Sequence, residues 1–104
     1  MITNLQEKLA ANPKDLQNWE LLGRTLLIRK QYEAASNSLR QAVSIFPNSL
    51  ELRATYAEAL VLAAQGRISR EALKQFKLVS KSIPKDPRVR YYLGLADYQQ
   101  KKLN

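Results

Sequence analysis

Proline and glycine recur in this chain at one interval, and that interval constrains the fold more than any other feature. Pro13 and Pro47 are 34 residues apart, Pro47 and Pro84 are 37 apart, and Gly23 and Gly94 are separated by 71, the two intervals together. Apolar residues keep the same offsets: Leu5, Leu39 and Phe76; Leu22, Tyr56 and Leu93; Gly23, Ala57 and Gly94; Leu26 and Leu60; Ala35 and Ala72. A period of this length marks a structural repeat whose unit cannot bury its apolar face alone and must stack on its neighbours. The second unit is three residues longer than the first. Those residues are expected between Leu62 and Arg70, around Gly66, where a turn absorbs an insertion without disturbing a packed face.

Within each unit the apolar residues fall at helical spacing. Trp19, Leu22 and Leu26 make one stripe and Ala35, Leu39, Ala42, Val43 and Phe46 a second, with Arg29 to Tyr32 between them. Leu52, Tyr56 and Leu60, followed by Ala72, Phe76, Val79 and Ile83, repeat the arrangement, so each unit reads as a pair of amphipathic helices. Asn12-Pro13-Lys14-Asp15, Phe46-Pro47-Asn48-Ser49 and Ile83-Pro84-Lys85-Asp86 separate the pairs. Each proline blocks continuation of the preceding helix, and Asp15, Ser49 or Asp86 can cap the next one. The expectation is an all-α chain of about six antiparallel helices, over residues 2–12, 16–30, 33–46, 50–64, 70–82 and 87–101, with no strand. It divides into a leading helix (1–15), a first repeat (16–49), a second with the three extra residues (50–86) and the first helix of a third (87–104).

Composition closes most catalytic routes. The 104 residues include no cysteine and no histidine, which removes thiol nucleophiles, zinc-thiolate sites, and the commonest general base and metal ligand. Ser36, Ser38 and Ser44 have no histidine to activate them, and no metal-ligand spacing or phosphate-cradling glycine loop is present. A non-enzyme with neither metal nor cofactor is expected. No apolar stretch is long enough to span a bilayer, the longest being Ala59 to Ala64. The net charge of +8 is uneven, +1 over residues 1–52 and +7 over 53–104. Much of the excess follows one row, Arg70, Lys74, Lys77 and Lys81, spaced along one side of the fifth helix opposite Ala72, Phe76 and Val79. With no interleaved aromatics the row does not point to nucleic acid. It reads as a solvated face, with an acidic protein or anionic membrane surface as the functional alternative.

Trp19, Leu22, Gly23, Ala35, Leu39 and Pro47 together resemble the tetratricopeptide repeat (TPR) in register. The resemblance implies a solenoid of helix-turn-helix units winding into a right-handed superhelix. Gly23 or Ala57 would let the second helix of a pair approach closely, Ala35 would face it, and Trp19 and Leu39 would fill the space between. This chain departs from the pattern where Arg53 and Arg90 replace Trp19, and where Leu26, Leu60 and Asp97 stand in place of the expected tyrosine. An arginine can lay its stem on the core and lift its charge to water.

A narrower resemblance rests on Leu5 to Asp15, Trp19, Leu21 to Arg24, Tyr32 to Ala35, Tyr56 to Leu60 and Ala63 to Arg67. These segments look like the periplasmic repeat domain of bacterial c-type cytochrome biogenesis proteins, the CcmI (CycH) and NrfG type subunits of the haem lyase complex. That likeness implies a periplasmic module, cut from or reduced relative to a membrane-anchored parent, which binds the C-terminal helix of apocytochrome c and works with other haem lyase subunits. A cytoplasmic repeat protein is the alternative location. The rival function is a generic scaffold or a homo-oligomer assembled through the unpaired terminal helices, and both readings expect exposed apolar residues at the ends, including Leu5, Leu9, Tyr92 and Leu103.

In stacked helix pairs the first helices line a groove suited to extended peptides or helices. Beside the packing stripe they carry Glu20, Arg24 and Leu27, then Ala54, Glu58 and Val61, then Tyr91, Leu95 and Tyr98. These nine residues are expected to form a peptide-binding trough, with the tyrosines and Ala54 taking an apolar helix face and Glu20, Arg24 and Glu58 orienting it. The alternative is that Tyr91, Tyr92 and Tyr98 cover core left open by an absent final helix.

Overall fold

The computed structural model describes residues 2–103, with side-chain surroundings through Lys102, so the expectation for Leu103 lies outside them. Six helices follow one another: α1 (Ile2–Ala11), α2 (Leu16–Ile28), α3 (Tyr32–Ile45), α4 (Leu50–Ala63), α5 (Arg70–Ser82) and α6 (Pro87–Leu103). There is no strand among the described residues. Each helix packs on the next, and α2 also touches α4, giving an elongated stack of 47 × 27 × 19 Å.

Short polar residues set the helix starts. The Asp15, Ser49 and Ser69 side chains accept from the backbone N–H of Asn18, Leu52 and Ala72, and Asp86 accepts from Arg88 and Val89. The loop from α2 to α3 is three residues, 29–31, whereas that from α4 to α5 is six, 64–69. Gly66 lies in the longer loop at φ +93°, a left-handed conformation that side chains with a Cβ rarely adopt.

Two apolar clusters share α4. Leu52, Tyr56 and Ala59 complete a core with Leu5, Leu9, Trp19, Leu22, Leu26 and Leu39. Ala54, Ala57 and Val61 turn the other way, onto Ala72, Phe76, Val79 and Val89. A helix enclosed on two sides cannot show one apolar stripe, which is why α4 reads as apolar all round. Leu5 and Leu9 are buried, contrary to the expectation that they would be exposed at an open end, because α1 lays both against α2.

The arginine that replaces a repeat tryptophan substitutes for it directly. The Trp19 indole N–H donates to the Pro13 carbonyl at 2.7 Å. Thirty-four residues on, Arg53 Nε donates to the Pro47 carbonyl at 2.8 Å and its Nη1 donates to Gln75 Oε1 at 2.8 Å. The guanidinium therefore ties the inter-repeat turn to α5 while staying partly exposed to water.

Candidate peptide-binding face

The nine candidate groove residues do not form one open trough. Ala54 and Val61 are only 1% and 2% exposed, packed with Phe76 and Val89, so neither offers surface to a ligand. The stripe beside the packing stripe is covered by α5 and α6 together, and the sequence pattern does not show which neighbour will cover it. Glu20 and Leu27 on α2 are half-buried and Arg24 is exposed, forming a patch separated from the rest by the buried middle of α4.

Glu58 is occupied as well. Its carboxylate accepts the Tyr92 hydroxyl at 3.0 Å and lies 3.9 Å from Arg88, which also reaches Glu51 at 3.3 Å. This network couples α4 to α6, so Glu58 holds the scaffold instead of waiting to orient a ligand. Arg88 and Glu51 were not among the candidate residues. Their signal was that they occupy the same position of successive units, where opposite charges on neighbouring helices meet.

Tyr92 also stacks on Phe76, with centroids 4.8 Å apart and an interplanar angle of 13°, and meets Tyr91 edge-on at 5.2 Å. Burial, followed by the adjacent Glu58 carboxylate, pushes its phenol from 10.0 up to about 12. The folded state keeps this proton longer than the unfolded chain, so the associated stability is full below pH 10 and is lost as pH rises toward about 12. Thermal melts across that window should show the fall. Tyr92→Phe should flatten it, and an unchanged slope in that variant would assign the alkaline loss to other groups.

Tyr91 and Tyr98 remain open, at 65% and 59% exposure, with half-buried Leu95 between them. Tyr98 and Leu95 border a recess of about 750 Å³ whose other walls are Gln65, Gly66, Arg67, Gln99 and Lys102. Gln99 fixes one wall, donating to the Gly66 carbonyl at 2.8 Å and accepting from the Ile68 N–H at 3.0 Å. Lys102 Nζ sits 5.8 Å from the Tyr98 ring centroid. The basic row is also accessible: Arg70, Lys74, Lys77 and Lys81 are all exposed, border a shallow depression of about 410 Å³ with Leu73 and Leu78, and have no carboxylate within 4.0 Å among the described residues.

Helix pairs stacked at this period, with a small residue where consecutive helices cross, define a TPR-type helical repeat protein. No described helix is long and apolar enough to cross a membrane. The family model for the cytochrome c-type biogenesis protein H TPR domain matches residues 1–104, and the chain belongs to that family. Over 95% of its length it is 28% identical to cytochrome c-type biogenesis protein CycH of Bradyrhizobium diazoefficiens, and over 98% it is 29% identical to CycH of Rhizobium meliloti. It spans 27% of either relative. It is also 39% identical, over 77% of its length, to 5% of the mouse superkiller complex protein 3.

Proposed function

We propose that this chain is a non-catalytic protein-binding module that holds the C-terminal helix of an apocytochrome c during c-type cytochrome maturation, on the periplasmic side and beside other haem lyase subunits. The observation that carries the reading is the open apolar face of α6, with Tyr91, Leu95 and Tyr98 beside an adjoining recess, in a chain of the CycH repeat family. Aromatic side chains on a rigid helix supply contact area at little entropic cost, as binding hot spots do. Arg24 and Glu20 would make secondary polar contacts from α2.

Calorimetric titration with a peptide from an apocytochrome c C-terminal helix tests this. Micromolar binding with weak salt dependence is expected, and Tyr98→Ala should weaken it about tenfold at an unchanged melting midpoint, because Tyr98 is an exposed anchor. Absence of binding by the unmodified protein would remove the apocytochrome assignment. Binding that Tyr98→Ala leaves intact would move the site elsewhere. Salt dependence that follows Arg70, Lys74, Lys77 and Lys81 would instead favour an acidic partner on α5.

A further inference from the structure

We propose that the outer side of α5 is a second docking surface, and that it takes an acidic helix of another protein whose carboxylates, spaced at three and four residues, pair with Arg70, Lys74, Lys77 and Lys81. The inference is independent of the peptide-binding reading above and shares no residue with the α6 face. Its basis is an internal comparison of the second helices. The intervals of 37 and 34 residues put this row at the positions of Glu33, Asn37, Arg40 and Ser44 on α3, and the last three of those at Thr3, Gln6 and Ala10 on α1. All of these residues are exposed. Because α3 has α1 and α2 before it and a full helix pair after it, exposure belongs to the outward side of a second helix and owes nothing to what stacks on α6. The charge does not follow the fold in the same way. The row is uncharged on α1, sums to zero on α3 and carries +4 on α5. The one cation of the α3 row, Arg40, is tied to Asn37 Oδ1 at 3.2 Å and to the Tyr56 hydroxyl at 3.3 Å.

Folding does not account for this charge. Like charges three and four residues apart repel along one helix face, and Arg70 stands at the positive end of the α5 dipole. Nor is the row neutralised from elsewhere. Of the chain's nine carboxylates only Glu71 is on α5, where it accepts from Gln75 Nε2 at 3.2 Å. Glu51 and Glu58 are engaged by Arg88 and Tyr92, Asp15 and Asp86 cap α2 and α6, and Asp97 lies on α6 at the position of Leu26 and Leu60. The cations rise around half-buried Leu73 and Leu78, which stand where α3 has Ser36 and Gln41 and border the depression of about 410 Å³. A cationic rim on an apolar floor, about 16 Å long and one helix wide, matches a single acidic amphipathic helix in length and width. A flat anionic membrane would engage only this line, since the neighbouring α3 row adds no net charge. A second copy cannot supply the complementary row, because no helix of this chain carries more than two carboxylates.

Fluorescence anisotropy with the full chain and two helical peptides of one composition tests this. In the first, glutamates among Ala and Leu form a single stripe at spacings of four, three and four; in the second, the same glutamates are spread round the helix. The striped peptide should bind at low salt and lose at least about tenfold in affinity at high salt. The spread peptide should bind at least about tenfold more weakly than the striped one. The double variant Lys74→Gln, Lys77→Gln should weaken the striped peptide at least about tenfold while keeping or raising the melting midpoint, as expected where the row does not stabilise the fold. Lys74→Glu with Lys77→Glu should transfer binding to a lysine-striped peptide. Equal affinity for the two glutamate peptides, no binding of the striped one, or unaltered affinity or a lowered midpoint in the glutamine variant would each overturn the inference. So would capture by phosphatidylglycerol vesicles without binding of the striped peptide, which would assign the row to lipid. Tyr98→Ala should leave the striped peptide unaffected. If an apocytochrome c peptide binds while the striped peptide does not, only this inference fails. If the striped peptide binds while the apocytochrome c peptide does not, only the apocytochrome assignment fails.

Discussion

Replacing Phe76 by alanine is expected to destabilise the protein by about 3–5 kcal/mol, the range for removing a fully buried phenylalanine. Phe76 has no exposure, lies among Ala57, Val79 and Val89, and stacks on Tyr92. Small domains hold about 5–15 kcal/mol in all, so a loss of this size brings the chain close to unfolding at ordinary temperature. The damage should extend beyond a cavity. Tyr92 would lose the ring it stacks on, and the Tyr92–Glu58 bond that couples α6 to α4 would loosen with it. Urea unfolding of the variant measures the cost, and fluorescence of the α6 tyrosines reports whether α6 detaches first. A loss under about 1 kcal/mol would mean that the second cluster is not packed as described.

Gly23→Leu and Gly94→Leu should move stability in opposite directions although both glycines are interior helix residues at one repeat position. Leucine is favoured over glycine in a helix by roughly 0.8 kcal/mol, so local propensity alone would stabilise both variants. At Gly23 the added Cβ would fall 2.6 Å from Leu39 Cδ2 and 3.0 Å from its Cγ, and Leu39 is itself buried with little room to retreat. Overpacking of this kind costs about 1–3 kcal/mol and the rest of the leucine side chain adds to it, so the variant should lose stability outright. Gly94→Leu should retain or raise the melting midpoint because nothing lies within 4 Å. Paired thermal melts make the comparison. Shifts of the same sign would show that close approach of α3 is not what requires glycine at position 23.

The fold was legible because its information is local and periodic. Prolines and capping residues punctuate the helix starts, and the apolar spacing within each segment needs no knowledge of the partner helix. Five of the six expected helix starts coincide with the observed ones, and no helix end departs by more than two residues. Ser69 was the cap not anticipated, since no proline precedes it to mark the turn. The site was less legible. Repeat position marks out a second stripe on each first helix, but exposure along that stripe depends on what stacks above it. Ala54 and Val61 are covered by α5 and α6, whereas Tyr91 and Tyr98, in the same register, are exposed. Glu58 likewise looked available until Tyr92 and Arg88 arrived from α6.

By itself the sequence determined the helix count, the order of the pairs, the glycine and alanine positions where helices cross, and the repeat class, because backbone caps, proline breaks and amphipathic period act within a few residues of one another. The tertiary structure alone decided which of nine equivalent-looking side chains are surface and which are core. It also decided that Arg53 binds a carbonyl where Trp19 does, and that Tyr91 and Tyr98 of α6 are exposed among the described residues. Those outcomes depend on which residues stacking brings together across 34 or 37 positions of chain, and a single helix face carries no record of the neighbour that will cover it.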